Sequence, residues 1–144
     1  MFMGEYSHTI DTKGRLIIPA KIREQLGDIC IVTKGLDNSL SIYTEEAWTK
    51  IAEKLQSLPS NKSNVRAYKR FLFGSACELE FDKQGRVLIP SSLRKYAELK
   101  KAAVVVGSGD HVEIWSKERW NTYTDEVGIN MEELAENLDF DGIL

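Results

Sequence analysis

With 144 residues, 42% of them hydrophobic, and a formal net charge of −3 at pH 7, the chain can form one ordinary domain or two small halves that share a core. No apolar run approaches the roughly 20 residues a membrane span needs, and the opening Met1-Phe2-Met3-Gly4-Glu5-Tyr6 lacks the basic and then apolar pattern of a secretory signal. A soluble, cytoplasmic protein with no membrane partner is expected.

Residues 6–10 read as an extended segment that runs into Asp11-Thr12-Lys13-Gly14-Arg15-Leu16-Ile17-Ile18-Pro19. Asp11 and Gly14 supply a turn, because an Asp side chain accepts bonds from backbone amides just ahead and Gly takes positive φ without a steric penalty. A second strand over residues 15–18 would complete a β-hairpin with Lys13 and Arg15 at its tip. Pro19 holds Ile18 extended and opens a short helix over residues 19–26, with Ile22 and Leu26 on its buried face and Gly27 as its stop.

Strands follow over residues 29–32 and 39–43, then a helix with Thr44 as N-cap, Glu45 and Glu46 in its first turn, and Ala47, Ile51 and Leu55 along one face. Residues 57–64, with Pro59 among polar neighbours, form the best linker. A helix over residues 65–73 re-enters the chain with Arg66, Lys69 and Arg70 expected to be exposed.

From there the pattern repeats. Residues 77–81 alternate apolar and acidic, and Asp82-Lys83-Gln84-Gly85-Arg86-Val87-Leu88-Ile89-Pro90 matches the first motif in Asp, Gly, Arg, Ile and Pro. Arg23 and Arg94 follow at the same spacing, and the match continues through Trp48 and Trp120 with one residue of slip. The chain is therefore an internal duplication with units of about 60 to 70 residues. The second copy brings a helix over residues 90–97, strands over 103–106 and 111–115, and a helix capped by Ser116. A weaker helix is expected over residues 131–138.

Charge is unevenly spread. Residues 125–144 hold seven acidic side chains and no Lys or Arg, which leaves residues 1–124 at a formal +4. Local charge, rather than the whole-chain balance, decides whether a surface attracts phosphate.

No Ser-His-Asp or Cys-His constellation and no phosphate-binding Gly-rich loop is visible, so no catalytic residue is assigned and an enzyme is not expected. Cys30 and Cys77 lack metal-ligand spacing and read as buried free thiols; no metal or other cofactor is expected. Asp11 and Asp82 read as turn residues with Gly14 and Gly85, although a repeated carboxylate pair also admits acid and base roles. For Arg15 and Arg86 two readings stand: an ion pair to the turn Asp, or contact with an anionic partner. Lys13 beside Gly14 favours the partner, with nucleic-acid phosphate and a guanine edge in the major groove as the target.

The paired Asp-x-x-Gly-Arg motifs, the opening 15 residues, and Arg70-Phe71-Leu72-Phe73-Gly74-Ser75-Ala76 leading into the second motif resemble the MraZ family of bacterial transcriptional regulators. The resemblance covers nearly the whole chain. It implies an α+β fold, a pseudo-symmetric, duplicated swapped-hairpin (AbrB-like) β-barrel with peripheral helices. The divisions it implies are a first repeat at 1–57, a linker and connecting helix at 58–73, a second repeat at 74–127 and an acidic tail at 128–144.

It also implies sequence-specific binding to double-stranded DNA at short direct repeats in a promoter, that of the chain's own division and cell-wall gene cluster. The assembly would be a ring-shaped homo-oligomer associated with the nucleoid. The DNA-binding residues it points to are Lys13, Arg15 and Arg86, with Lys83 as a phosphate contact and Thr12 and His8 as auxiliaries. Gln84 stands where the first copy has Lys13, so the two turns are expected to contribute unequally. The alternative function is an oligomeric protein-interaction or antitoxin-like scaffold.

Overall fold

The computed structural model describes residues 1–138; Asp139 and Asp141 of the acidic tail lie outside the described residues. The first copy comprises β1 (Glu5–Thr9), β2 (Arg15–Ile17), α1 (Ala20–Leu26), β3 (Ile29–Lys34), β4 (Leu40–Thr44) and α2 (Glu45–Gln56). The helix α3 (Ser63–Ser75) connects it to β5 (Cys77–Glu80), β6 (Arg86–Leu88), α4 (Ser91–Tyr96), β7 (Ala102–Gly107), β8 (Val112–Ser116), α5 (Lys117–Gly128) and α6 (Met131–Asn137). No helix among the described residues is long and apolar enough to cross a membrane.

The helix signals act where the sequence puts them. Pro19 and Pro90 stand immediately before α1 and α4 with extended ψ angles of 141° and 144°. Gly27 ends α1 at φ 82°. The Thr44 hydroxyl accepts from the Ala47 N–H at 3.1 Å and the Ser116 hydroxyl from the Arg119 N–H at 3.2 Å, satisfying one orphan donor of α2 and one of α5. Trp48 packs edge-on to Phe73, and Trp120 packs against Trp115.

The strands assemble into a mixed α+β structure with an antiparallel six-stranded sheet ordered β1-β7-β8-β4-β3-β5, plus a two-stranded ribbon of β2 and β6. The hydrogen-bonded order is open, from β1 at one edge to β5 at the other. Each copy's first strand lies on the other copy's sheet: Tyr6 pairs with Val105 and Cys77 with Val32. Two pairings are symmetric about a pseudo-twofold axis, centred on Leu16 opposite Val87 in the ribbon and on Ser41 opposite Glu113 between β4 and β8.

This differs from a simple hairpin. The expected turn forms at residues 11–14, but β1 and β2 share only the Ile10–Leu16 bridge before they diverge to partners in the second copy. Burial supplies the reason. Ile10, Leu16 and Ile18 from one copy and Val87, Ile89 and Leu93 from the other enter one hydrophobic cluster, and a flat two-stranded hairpin would leave that surface wet.

Arg66 and Lys69 also depart from expectation. They are partly covered rather than fully exposed, donating to the Ser60 carbonyl at 3.1 Å and the Leu58 carbonyl at 3.2 Å across the linker. Both cysteines are free thiols; Cys30 is buried, which pushes its pKa up to about 12, and Cys77 is partly exposed.

Candidate nucleic-acid interface

The two Asp-x-x-Gly-Arg turns have the same internal wiring. Asp11 Oδ1 accepts the backbone N–H groups of Lys13 at 3.0 Å and Arg15 at 2.9 Å, while Oδ2 accepts Arg15 Nε–H at 2.6 Å. In the second turn, Asp82 Oδ1 accepts from Gln84 N and Arg86 N, both at 2.9 Å, and Oδ2 from Arg86 Nε at 2.8 Å. The N–H groups of Gly14 and Gly85 donate to the carbonyls of Asp11 and Asp82, each at 3.0 Å. Both carboxyls are held below their ordinary pKa of 3.8, chiefly by the backbone N–H bonds from Arg15 and Arg86. They are acceptors with their lone pairs engaged, a poor arrangement for a general acid.

The ribbon joins the turns. β2 and β6 run antiparallel with Arg15 opposite Leu88 and Ile17 opposite Arg86. Bonds from Ile18 N to Gly85 O at 3.1 Å and from Ile89 N to Gly14 O at 2.9 Å tie each strand's end to the other copy's turn. The two turns therefore sit at opposite ends of one short ribbon, and Lys13 and Lys83 are exposed at its extremities. Thr12 is exposed beside Lys13, whereas His8 lies on β1 opposite Ala103.

The Nε-to-Asp bond fixes each guanidinium by one edge. Among the described residues no hydrogen bond engages Arg15 Nη1 or Nη2, so its remaining edge carries donors for a bidentate acceptor. Arg86 is less free, because its Nη1 lies 3.8 Å from Asp11 Oδ2 across the ribbon. The ion-pair reading of these arginines therefore holds for the Nε side of both, and among the described residues the Nη side is left without a hydrogen bond in Arg15 while it approaches Asp11 in Arg86. The turns differ electrostatically as well, with Lys13 in the first and neutral Gln84 at the matching place in the second.

Arg23 and Arg94 were visible in the sequence only as a repeated spacing with no role attached. Arg94 Nη1 donates to the Ile89 carbonyl at 2.6 Å and Arg23 Nη1 to the Ile18 carbonyl at 3.0 Å. Their guanidiniums lie over the turn glycines of the opposite copies, Arg94 on Gly14 and Arg23 on Gly85. Arg15, Arg23, Arg86 and Arg94 thus pack on the two turns that carry Lys13 and Lys83, with Glu24 and Asp28 beside the second turn. Among the described residues no cluster of His, Cys, Asp or Glu is arranged to hold a metal ion.

A family model described as "MraZ protein, putative antitoxin-like" matches the chain twice, over residues 1–71 and 72–141. A protein of Ligilactobacillus salivarius named "Transcriptional regulator MraZ" is 55% identical over 142 residues, covering 98% of this chain and 99% of the relative. One of the same name from Desulforamulus reducens is 54% identical over 138 residues, with coverage of 96% and 97%. Another from Heliobacterium modesticaldum is 51% identical over 142 residues, with coverage of 98% and 99%.

Proposed function

The chain belongs to the MraZ family, and from that premise we propose that it is a non-enzymatic transcriptional regulator that binds double-stranded promoter DNA through the β2–β6 ribbon. The relatives' shared name supports regulation of transcription. The observation that carries DNA contact is the antiparallel pairing of β2 with β6, which brings Arg15 and Arg86 onto one two-stranded ribbon with Lys13 and Lys83 beyond its ends. A ribbon of this kind fits the major groove, where Arg donates to guanine O6 and N7 and lysines take phosphate.

In this reading Lys13, Arg15, Arg86 and Lys83 are the DNA-binding residues, and Asp11, Gly14, Asp82 and Gly85 hold the turns. The exchanged first strands support a swapped-hairpin arrangement of two AbrB-like repeats, 1–57 and 74–127, joined through 58–73 and followed by the acidic tail 128–144. One ribbon offers few contacts. A ring of identical chains on short direct repeats, in the promoter of the chain's own division and cell-wall cluster, would gain affinity from effective concentration. Such a protein would work in the cytoplasm at the nucleoid.

The test is Arg15→Ala. The DNA-reading protein stays folded and oligomeric but loses roughly 5- to 150-fold of its promoter affinity, since a bidentate Arg-to-base pair contributes roughly 1–3 kcal/mol. A second reading, an oligomeric or antitoxin-like scaffold, draws on the family's description and on the Arg86–Asp11 approach across the ribbon. It predicts instead that Arg15→Ala breaks the assembly while DNA affinity per intact assembly is unchanged.

A further inference from the structure

The outer face of the ribbon carries two side chains that neither charge nor packing accounts for. Along β2 and β6, Leu16 and Val87 point inward and are buried, while Ile17 is 42% exposed and Leu88 57% exposed. Isolated exposed apolar residues are common. These two are related by the pseudo-twofold axis and sit in register with the arginines, Leu88 opposite Arg15 and Ile17 opposite Arg86. The outer face is thus a diagonal pattern of two guanidiniums and two aliphatic side chains.

We propose that Ile17 and Leu88 are specificity-determining residues that contact thymine 5-methyl groups in the DNA major groove, alongside the bases addressed by Arg15 and Arg86. The inference rests on the DNA-binding reading above. In the major groove every base edge presents nitrogen or oxygen, and thymine adds to its O4 acceptor a 5-methyl group, the apolar feature an aliphatic side chain can match. A ribbon that only gripped phosphate would do better with polar residues at 17 and 88, because aliphatic side chains have no donor to offer a phosphate oxygen.

A second copy of the chain is the competing occupant of this face. Charge disfavours it. A symmetric contact through the same patch would bring Arg15, Arg86, Lys13 and Lys83 against their own equivalents, whereas DNA supplies the opposite charge.

The experiment uses the full chain and a duplex covering the DNA upstream of its own gene, amplified with either dTTP or dUTP, so that the two probes differ only in the 5-methyl groups. The intact protein is expected to bind the deoxyuridine duplex more weakly, by about fourfold for each thymine methyl that Ile17 or Leu88 would otherwise cover. The Ile17→Ala/Leu88→Ala protein, still folded and in the same oligomeric state, is expected to bind both probes alike. Equal binding of the two probes by the unmodified protein overturns this inference alone, whereas no binding to either probe removes the DNA reading together with it. A thymine preference that survives in the double variant reflects DNA shape and also overturns the inference. Dissociation of the oligomer by the double variant, with the thymine preference intact, assigns the face to a second copy.

Discussion

The Arg94 guanidinium lies directly over Gly14, the turn glycine of the opposite copy, in a position a Cβ could not share. Arg23 covers Gly85 in the same way. Gly14 also has φ 86°, where an L side chain is strained by about 1–2 kcal/mol. Gly14→Ala therefore carries two penalties, strain and displacement of Arg94 from its bond to Ile89 O, together about 2–4 kcal/mol. Gly27→Ala, at φ 82° and ψ −175° with open space around it, carries a backbone-strain penalty of its own, about 1–3 kcal/mol, and displaces no side chain. Urea midpoints of the two variants and of Gly14→Ala/Arg94→Ala separate the terms: the double variant should lose less than the sum of its parts.

Acid should loosen both turns together. The Asp11 and Asp82 carboxyls are held below 3.8 in the folded protein, so their contribution is complete above that value and disappears as pH falls through the lower folded pKa. Stability measured by urea titration from about pH 5 down to about pH 2 should decline. The decline should flatten in Asp11→Asn/Asp82→Asn, at the expense of lower stability at neutral pH.

His111 should act in the opposite direction. Its Nδ1 lies 2.7 Å from Asp110 Oδ1 and its Nε2 3.1 Å from Glu113 Oε2, and only the imidazolium can donate at both nitrogens while stacked on Tyr43. The Glu113 bond leads in raising its pKa above 6.5, and Glu113 in turn is lowered from 4.5, so the two directions agree. The stabilisation is present below 6.5 and is lost as pH rises through the raised folded pKa. A ring-proton NMR titration should give a midpoint above that of a free histidine, and Glu113→Gln should lower it.

Thr33 anchors the connecting helix. Its buried hydroxyl donates to the Leu72 carbonyl at 2.6 Å and lies 2.9 Å from Ser75 Oγ. Thr33→Val keeps the shape but leaves the Leu72 carbonyl without that donor, with an expected loss of about 1–3 kcal/mol in chemical denaturation.

The inequality of the turns can be read from salt. On the proposed function, Lys13→Ala should lower DNA affinity across sequences and reduce the slope of log affinity against log salt by about one. Gln84→Lys should raise both. Equal slopes for the unmodified protein and both variants would remove phosphate from these positions.

Much of the local structure was legible. Asp11, Gly14 and Pro19, repeated as Asp82, Gly85 and Pro90, each act within a few residues through a side-chain acceptor, a permitted positive φ or a fixed one. The partners of the strands were not. A hairpin reading of residues 6–18 is satisfied by the same turn, and nothing local distinguishes it from the observed exchange with β7 and β6. Arg66 and Lys69 read as solvated because their helix face is polar, yet length lets them fold back onto Ser60 and Leu58.

By itself, the sequence determined the duplication, the two turns, the capped helix starts and the membership of a family, all through short-range chemistry or direct likeness. Tertiary structure decided that β2 of one copy pairs with β6 of the other, that Arg94 covers Gly14, and that Ile17 and Leu88 face outward beside the arginines. Those outcomes follow from burying Leu16, Ile18, Val87 and Ile89 in a common core. Apolar burial is non-directional and summed over the whole chain, so it selects among pairings that every local signal leaves equivalent.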